Sequence, residues 1–255
     1  MNIRFFNLNF FRKTGMIVVA SIMLSSCDVL TALPVGGMGG VNGISSAEAS
    51  SGLKQALGQG LDKSIQTLAV RDGFLGNAAV KILMPPEAQK VERTLRSVGL
   101  GSLCDDLITN LNRAAETAVK EASPVFVSAL SQLTISDAFN ILLSGQQDAA
   151  TQFFKRTTSN ELAQRFSPIV EKAIAQHQVA RHWSTLVTRY NQLPLSNDKI
   201  EADLNKYVTD KAIEGLFMMV AQEELNIRNN LAGSRSTPLL QKVFDYADKE
   251  RKQPF

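Results

Sequence analysis

TDKAIEGLFMMVAQEELNIRN, residues Thr209 to Asn229, is the stretch on which the fold turns. Ile213, Leu216, Val220 and Ile227 share one helical face, and Leu216 to Ala221 is apolar all round. A helix lacking a polar side must be surrounded by others, so this segment is expected to be the central, most buried helix. Glu223 and Glu224 fall on the flanks of its apolar face rather than opposite it, where carboxylates need partners.

Outward from that helix the periodicity is helical almost throughout. Leu53, Leu57, Leu61, Ile65 and Leu68 recur every three or four residues. Pro86 can occupy the first turn of a second helix with Val91, Leu95 and Val98 on its face and Gly99 as terminator. Ser102 is expected to begin a third, striped by Leu103, Leu107, Leu111, Ala114 and Ala118. Ser123-Pro124 reads as N-cap and first position of a fourth, and Ser136 as the cap of a short one ending at Gly145. Further helices are expected at about 147–157, 159–177 (kinked or interrupted at Pro168), 179–190 and 199–207, and a last one after Thr237-Pro238. The segment 71–85 separates two helices, yet carries Phe74, Leu75, Ile82, Leu83 and Met84, and is expected to fold back onto the core. No stretch alternates like a strand and no repeat period emerges, so the class is all-α, a single multi-helix bundle-like domain.

The amino-terminal quarter sets where this domain works. Arg4, Arg12 and Lys13 precede the apolar run Met16 to Leu24, which leads into Leu24-Ser25-Ser26-Cys27, a match at every position to the lipobox of bacterial lipoprotein precursors. The run is about half the ~20 residues needed to span a bilayer. Cleavage is expected between Ser26 and Cys27, with Cys27 lipidated; a single chain anchors only marginally, so stable attachment takes two or more. The expected organisation is a signal peptide over 1–26, a Gly/Ser-rich tether over 27–50, the helical domain over 51–247 and a polar tail over 248–255. A coil as long as the tether reaches about 25 Å, enough to hold the domain clear of the headgroups. The expected location is the periplasmic face of the envelope, and Asp28, next to the lipid, favours the inner membrane over the outer.

Charge and composition exclude several activities. Of 27 basic residues in the 255-residue chain three lie before the junction, which leaves 24 against 24 acidic ones. A neutral mature chain has no electrostatic claim on nucleic acid. With Cys27 capped, Cys104 is the only thiol and reads as a buried, inert one. Ser51-Gly52-Leu53-Lys54 fits a Ser-x-x-Lys pattern, but the only Lys-Thr-Gly is Lys13-Thr14-Gly15 in the signal peptide, so the match is coincidental. His177 and His182 stand about 140° apart on a helix and cannot clamp one metal. The glycines of 36–40 follow no strand and miss dinucleotide spacing. No cofactor or metal site is expected.

The buried acids of the central helix remain. Arg228, four residues after Glu224, is a candidate partner, and Arg113 and Arg156 on other helices are further ones. They can form an ion-pair network that fixes helix register. The sharper expectation is a polar-floored cleft made by Arg113, Glu116, Arg156, Glu223, Glu224 and Arg228, binding a ligand or peptide. Phe217-Met218-Met219 reads as core.

Several blocks carry a family resemblance: Asp72-Gly73-Phe74-Leu75, Leu111 to Glu116, Phe154 to Thr158, Tyr207 to Ala212, Gly215-Leu216-Phe217, Glu223-Glu224, Ile227-Arg228, and Leu239-Leu240 with Lys242-Val243-Phe244. In this order, across about residues 51–244, they resemble the bacterial domain-of-unknown-function 4197 family. The resemblance implies a helical envelope domain, often a lipoprotein, without an established activity. The chain departs from it at Asn77-Ala78 and Asn230-Leu231, where proline usually follows the asparagine, which leaves those two turns open. Two functions are carried forward: a non-enzymatic, lipid-anchored module that binds an envelope protein or small ligand, and a hydrolase or transferase using the acid cluster for general acid/base work. A carboxylate without a basic partner in a deep pocket would favour the second.

Overall fold

The structure, a computed structural model, describes residues 43–176, 179–192 and 203–252. The expectations for the signal peptide, Ser26, Cys27, Asp28, most of the tether, His177 and the Pro194 turn lie outside these residues. Among the described residues the fold is all-α. Its elements are α1 (Ser46–Leu68), α2 (Gln89–Ser97), α3 (Gly101–Ala118), α4 (Ala122–Gln132), α5 (Ile135–Leu143), α6 (Ala149–Gln176), α7 (Val179–Asn191), α8 (Leu204–Arg228) and α9 (Pro238–Glu250).

The central position goes to α8, which packs on α1, α3 and α6. Leu216, Phe217 and Val220 are buried along it, together with Ala212, Ile213 and Ile227. Phe126 meets both Phe154 of α6 and Phe217 of α8 edge to face, at 5.9 and 6.0 Å between ring centroids. Met218 is the exception to the expected core triplet, being 46% exposed.

Several boundaries move, each for a local reason. The tether expected through residue 50 gives way to α1 at Ser46, because Ser45 and Glu48 form a reciprocal capping box. The two helices expected at 147–157 and 159–177 are one, α6. Thr157, Thr158 and Ser159 look like a break, but each hydroxyl donates to a carbonyl four residues back, on Phe153, Phe154 and Lys155. Pro168 does not interrupt this helix; it lies on the exposed side, where water can take the carbonyl left without a donor. The separate helices expected at 199–207 and 209–229 are likewise one, starting at Leu204 under an Asp203 cap. Ala122, not Pro124, opens α4, since a 3₁₀ turn at Val119–Glu121 carries the chain almost straight on from α3; Pro124 stays in the first turn, where its missing N–H costs nothing. Thr134 caps α5 in place of Ser136. The tail expected from 248 is partly structural, because α9 runs to Glu250 and Asp248 pairs with buried Arg235.

The connection over 69–85 folds onto the core, as its apolar content predicts. Phe74, Val80, Ile82 and Met84 are buried. Asp72 adopts a left-handed φ of 67°, and a Cβ on Gly73 would lie 2.5 Å from the Leu68 carbonyl, so only glycine fits. Val80 and the Phe74 ring press against Gly215 of α8.

Two outcomes follow. A Cβ on Gly215 would meet the Phe74 ring at 2.8 Å and Val80 Cβ at 3.2 Å, so Gly215→Val should cost about 1–3 kcal/mol by overpacking, read as a lower denaturant midpoint at unchanged slope. At the start of α1, a hydrogen bond from Lys242 and others from Ser45 hold the Glu48 carboxyl at about 2 instead of the ordinary 4.5. A carboxyl depressed by folding stabilises above its unfolded pKa and loses that contribution as pH falls toward the folded value. Glu48→Gln should therefore flatten stability against pH between about 4.5 and 2, checked by denaturation across that range.

Candidate functional site

The six residues expected to floor one cleft separate into four arrangements. Glu116, on α3, uses Oε1 to accept the N–H groups of Phe74 and Leu75 at 3.2 and 3.3 Å, while Oε2 takes Arg113 at 2.6 Å. Arg113 also reaches Asp72 at 2.7 Å. One turn earlier Asn112 closes a two-way bond with Ile82, accepting its N–H at 2.9 Å and donating to its carbonyl at 2.8 Å. These α3 side chains thus serve the backbone of the 69–85 connection.

Glu224 does comparable work for α6. Its Oε1 accepts the Ala150 N–H at 2.9 Å, and Oε2 accepts both the N–H and the hydroxyl of Thr151 at 2.8 Å. A carboxylate from α8 thereby satisfies free donors in the first turn of α6, where the helix dipole also favours negative charge. Arg228 neutralises it at 2.8 Å and donates to the Ile141 carbonyl. Glu223 pairs separately with Lys63 of α1 at 2.9 Å, a partner the sequence reading did not propose. Arg156 joins none of these: it is exposed and lies over the Phe153 ring, 5.7 Å from its centroid. The single polar cleft is thus replaced by separate internal contacts, because Glu116 and Glu224 point at backbone donors on two different segments and Glu223 at the Lys63 side chain, rather than at one another.

Arg235 was not anticipated. It is buried, donates to the carbonyls of Ile227 and Arg228 at the carboxyl end of α8, and pairs with Asp245 and Asp248 of α9. Phe244 lies beneath its guanidinium, 5.2 Å from ring centroid to carbon. The available signal was an arginine just past a helix end, ten and thirteen residues before two aspartates. Cys104 is buried and unpaired, and desolvation pushes its thiol up, away from reactivity. Among the described residues no three His, Cys, Asp or Glu side chains converge as metal ligands.

Open space lies elsewhere, in a groove of about 260 Å³ between residues 79–86 and α8. Burial alternates through the connection here: Val80, Ile82 and Met84 point in, while Lys81 and Leu83 are exposed. Along the other wall Tyr207, Lys211, Glu214 and Met218 follow helical spacing. Tyr207 donates to the Leu83 carbonyl at 3.1 Å, and burial raises its phenol, which keeps the donor protonated. Leu83 and Met218 leave 55% and 46% of their surface open on this groove. By sequence Met218 reads as core, so nothing local in the chain signals this surface.

A family model described as "Protein of unknown function (DUF4197)" matches residues 43–245. No curated protein and no solved structure matches the chain.

The internal role of Glu224 and Arg228 has a measurable signature. Arg228→Met alone leaves a buried carboxylate without its counter-charge and should cost about 3–5 kcal/mol. Glu224→Gln combined with Arg228→Met should cost clearly less than the sum of the two single changes, read as a coupling energy from denaturation of all four proteins.

Proposed function

The chain belongs to the DUF4197 family of proteins of unknown function, and from that premise we propose a lipid-anchored protein of the bacterial envelope whose helical domain binds another envelope component without catalysing a reaction. One observation carries the choice between binding and catalysis. The buried carboxylates Glu116, Glu223 and Glu224 are each held by a basic side chain, two of them also by backbone N–H groups. General acid/base chemistry needs a carboxyl whose proton is free to move toward a substrate, and these are committed to the fold. Glu116, Glu223 and Glu224 therefore give the hydrolase or transferase alternative no carboxyl to start from. The exposed Leu83 and Met218 along an open groove support a surface that meets a partner.

Anchoring rests on Leu24-Ser25-Ser26-Cys27. Among the described residues no single helix is long and apolar enough to cross a bilayer; attachment is assigned to lipid on Cys27 on the strength of that motif. Asp28 favours retention in the inner membrane. The native protein should carry acyl chains by mass spectrometry and stay with membranes through a wash in plain buffer, whereas Cys27→Ser should be unacylated and released. A native molecule that is unmodified and washes free would refute the anchor.

A further inference from the structure

The groove between residues 79–86 and α8 has backbone as well as side-chain features that specify what it takes. Asn112 holds both polar groups of Ile82 from the inner side. In a segment whose side chains alternate in and out, the polar groups of the two neighbouring residues face the other way. The Lys81 N–H is used by Asn77 at 2.9 Å and the Leu83 carbonyl by Tyr207. The Lys81 carbonyl and the Leu83 N–H have no partner among the described residues. This pair of open groups flanks Ile82 on the groove side.

Such a pair is what an added strand bonds to. A parallel strand reaches both groups through the one residue opposite Ile82, and an antiparallel strand through the two residues that flank it. Charge sets the remaining chemistry. Lys81 lines the groove at the Met218 end, and Glu87 lies at the Tyr207 end. Neither makes an ion pair or hydrogen bond among the described residues, whereas Lys211 is neutralised by Glu214. From Tyr207 to Met218 the wall of α8 is about 16 Å long at 1.5 Å per residue, or about five extended residues at ~3.3 Å each.

We propose that this groove seats an extended segment of a partner protein, added as a strand beside Lys81–Leu83. The segment carries an acidic residue toward Lys81, apolar side chains over Leu83 and Met218, and a basic residue toward Glu87. Main-chain bonds provide affinity and the alternate side chains provide selectivity. This inference rests on the reading of the protein as a binding module and goes further by fixing the site, the backbone pairing and the charge placement of what is bound.

The test places a photo-crosslinking amino acid at Leu83, at Met218 or, on the separate α4 surface, at Val127 in the full-length protein in its native cells. Adducts are mapped by mass spectrometry, and the mapped segment is made as a peptide. The expected result is adducts from positions 83 and 218 to one short segment with apolar residues between an acidic and a basic one. Binding of the peptide to the full chain should fall about fivefold or more on N-methylation at one of two adjacent central positions, the loss of one main-chain hydrogen bond, and not at the other, whose N–H points away. Lys81→Glu should weaken binding roughly two- to fivefold, and an acidic-to-basic change in the peptide should recover it. Adducts only to lipid, or equal sensitivity to N-methylation at both positions, would overturn the strand model. Adducts from position 127 alone would overturn this site while leaving a binding module, and none from any position would overturn both readings.

Discussion

An irregular segment buried in an all-helical protein must find partners for its backbone outside the helical ladder, and the rest of this structure accommodates that need. Residues 69–85 place Phe74, Ile82 and Met84 in the core, which takes their N–H and C=O groups out of water. An unpaired buried group costs about 1–3 kcal/mol. Glu116 and Asn112 on α3 supply the missing donors and acceptors, and Arg113 balances the charge that Glu116 brings inside. With the segment fixed, Phe74 and Val80 can rest on Gly215, and the central helix is locked against its cover.

The same device recurs at the other end of the bundle. Glu224 satisfies the first turn of α6 from α8, and Arg235 satisfies the last carbonyls of α8 from the turn before α9. Acidic groups sit at a helix amino terminus and a basic one at a carboxyl terminus, as the dipole favours. Each buried charge therefore ties two elements whose mutual angle packing alone would leave loosely set. The lone pairs of Glu116 and Glu224 are thereby committed to backbone N–H groups and to Arg113 and Arg228.

The proposed binding function falls to the surface that this arrangement holds out. One edge of the 79–86 segment is pinned inward by Asn112 and the other is turned toward Tyr207 and Met218 of α8. A rigid edge beside a rigid helix loses little conformational freedom on binding. A lipid on Cys27 would confine such a surface to one membrane face, where even modest affinity suffices for a partner held in the same envelope.

The helical class, the central place of Thr209–Asn229, the inward fold of 71–85 and the cap and terminator at Thr237 and Gly99 could all be read from the residues, because each depends on periodicity or on the conformational limits of a single side chain. So could the pairing of Glu224 with Arg228, which is a matter of helical spacing. Where α6 runs through Thr157-Thr158-Ser159 and α8 through Val208-Thr209, local preference points to breaks, and burial against neighbouring helices overrides it. Which backbone the acids would meet depended on contacts more than forty residues apart in the chain, such as Glu116 with Phe74 and Glu224 with Ala150. No local rule contains such distances. The groove is likewise a product of packing: Leu83 and Met218 look like core residues in the chain, and only the meeting of the segment with α8 leaves them facing water.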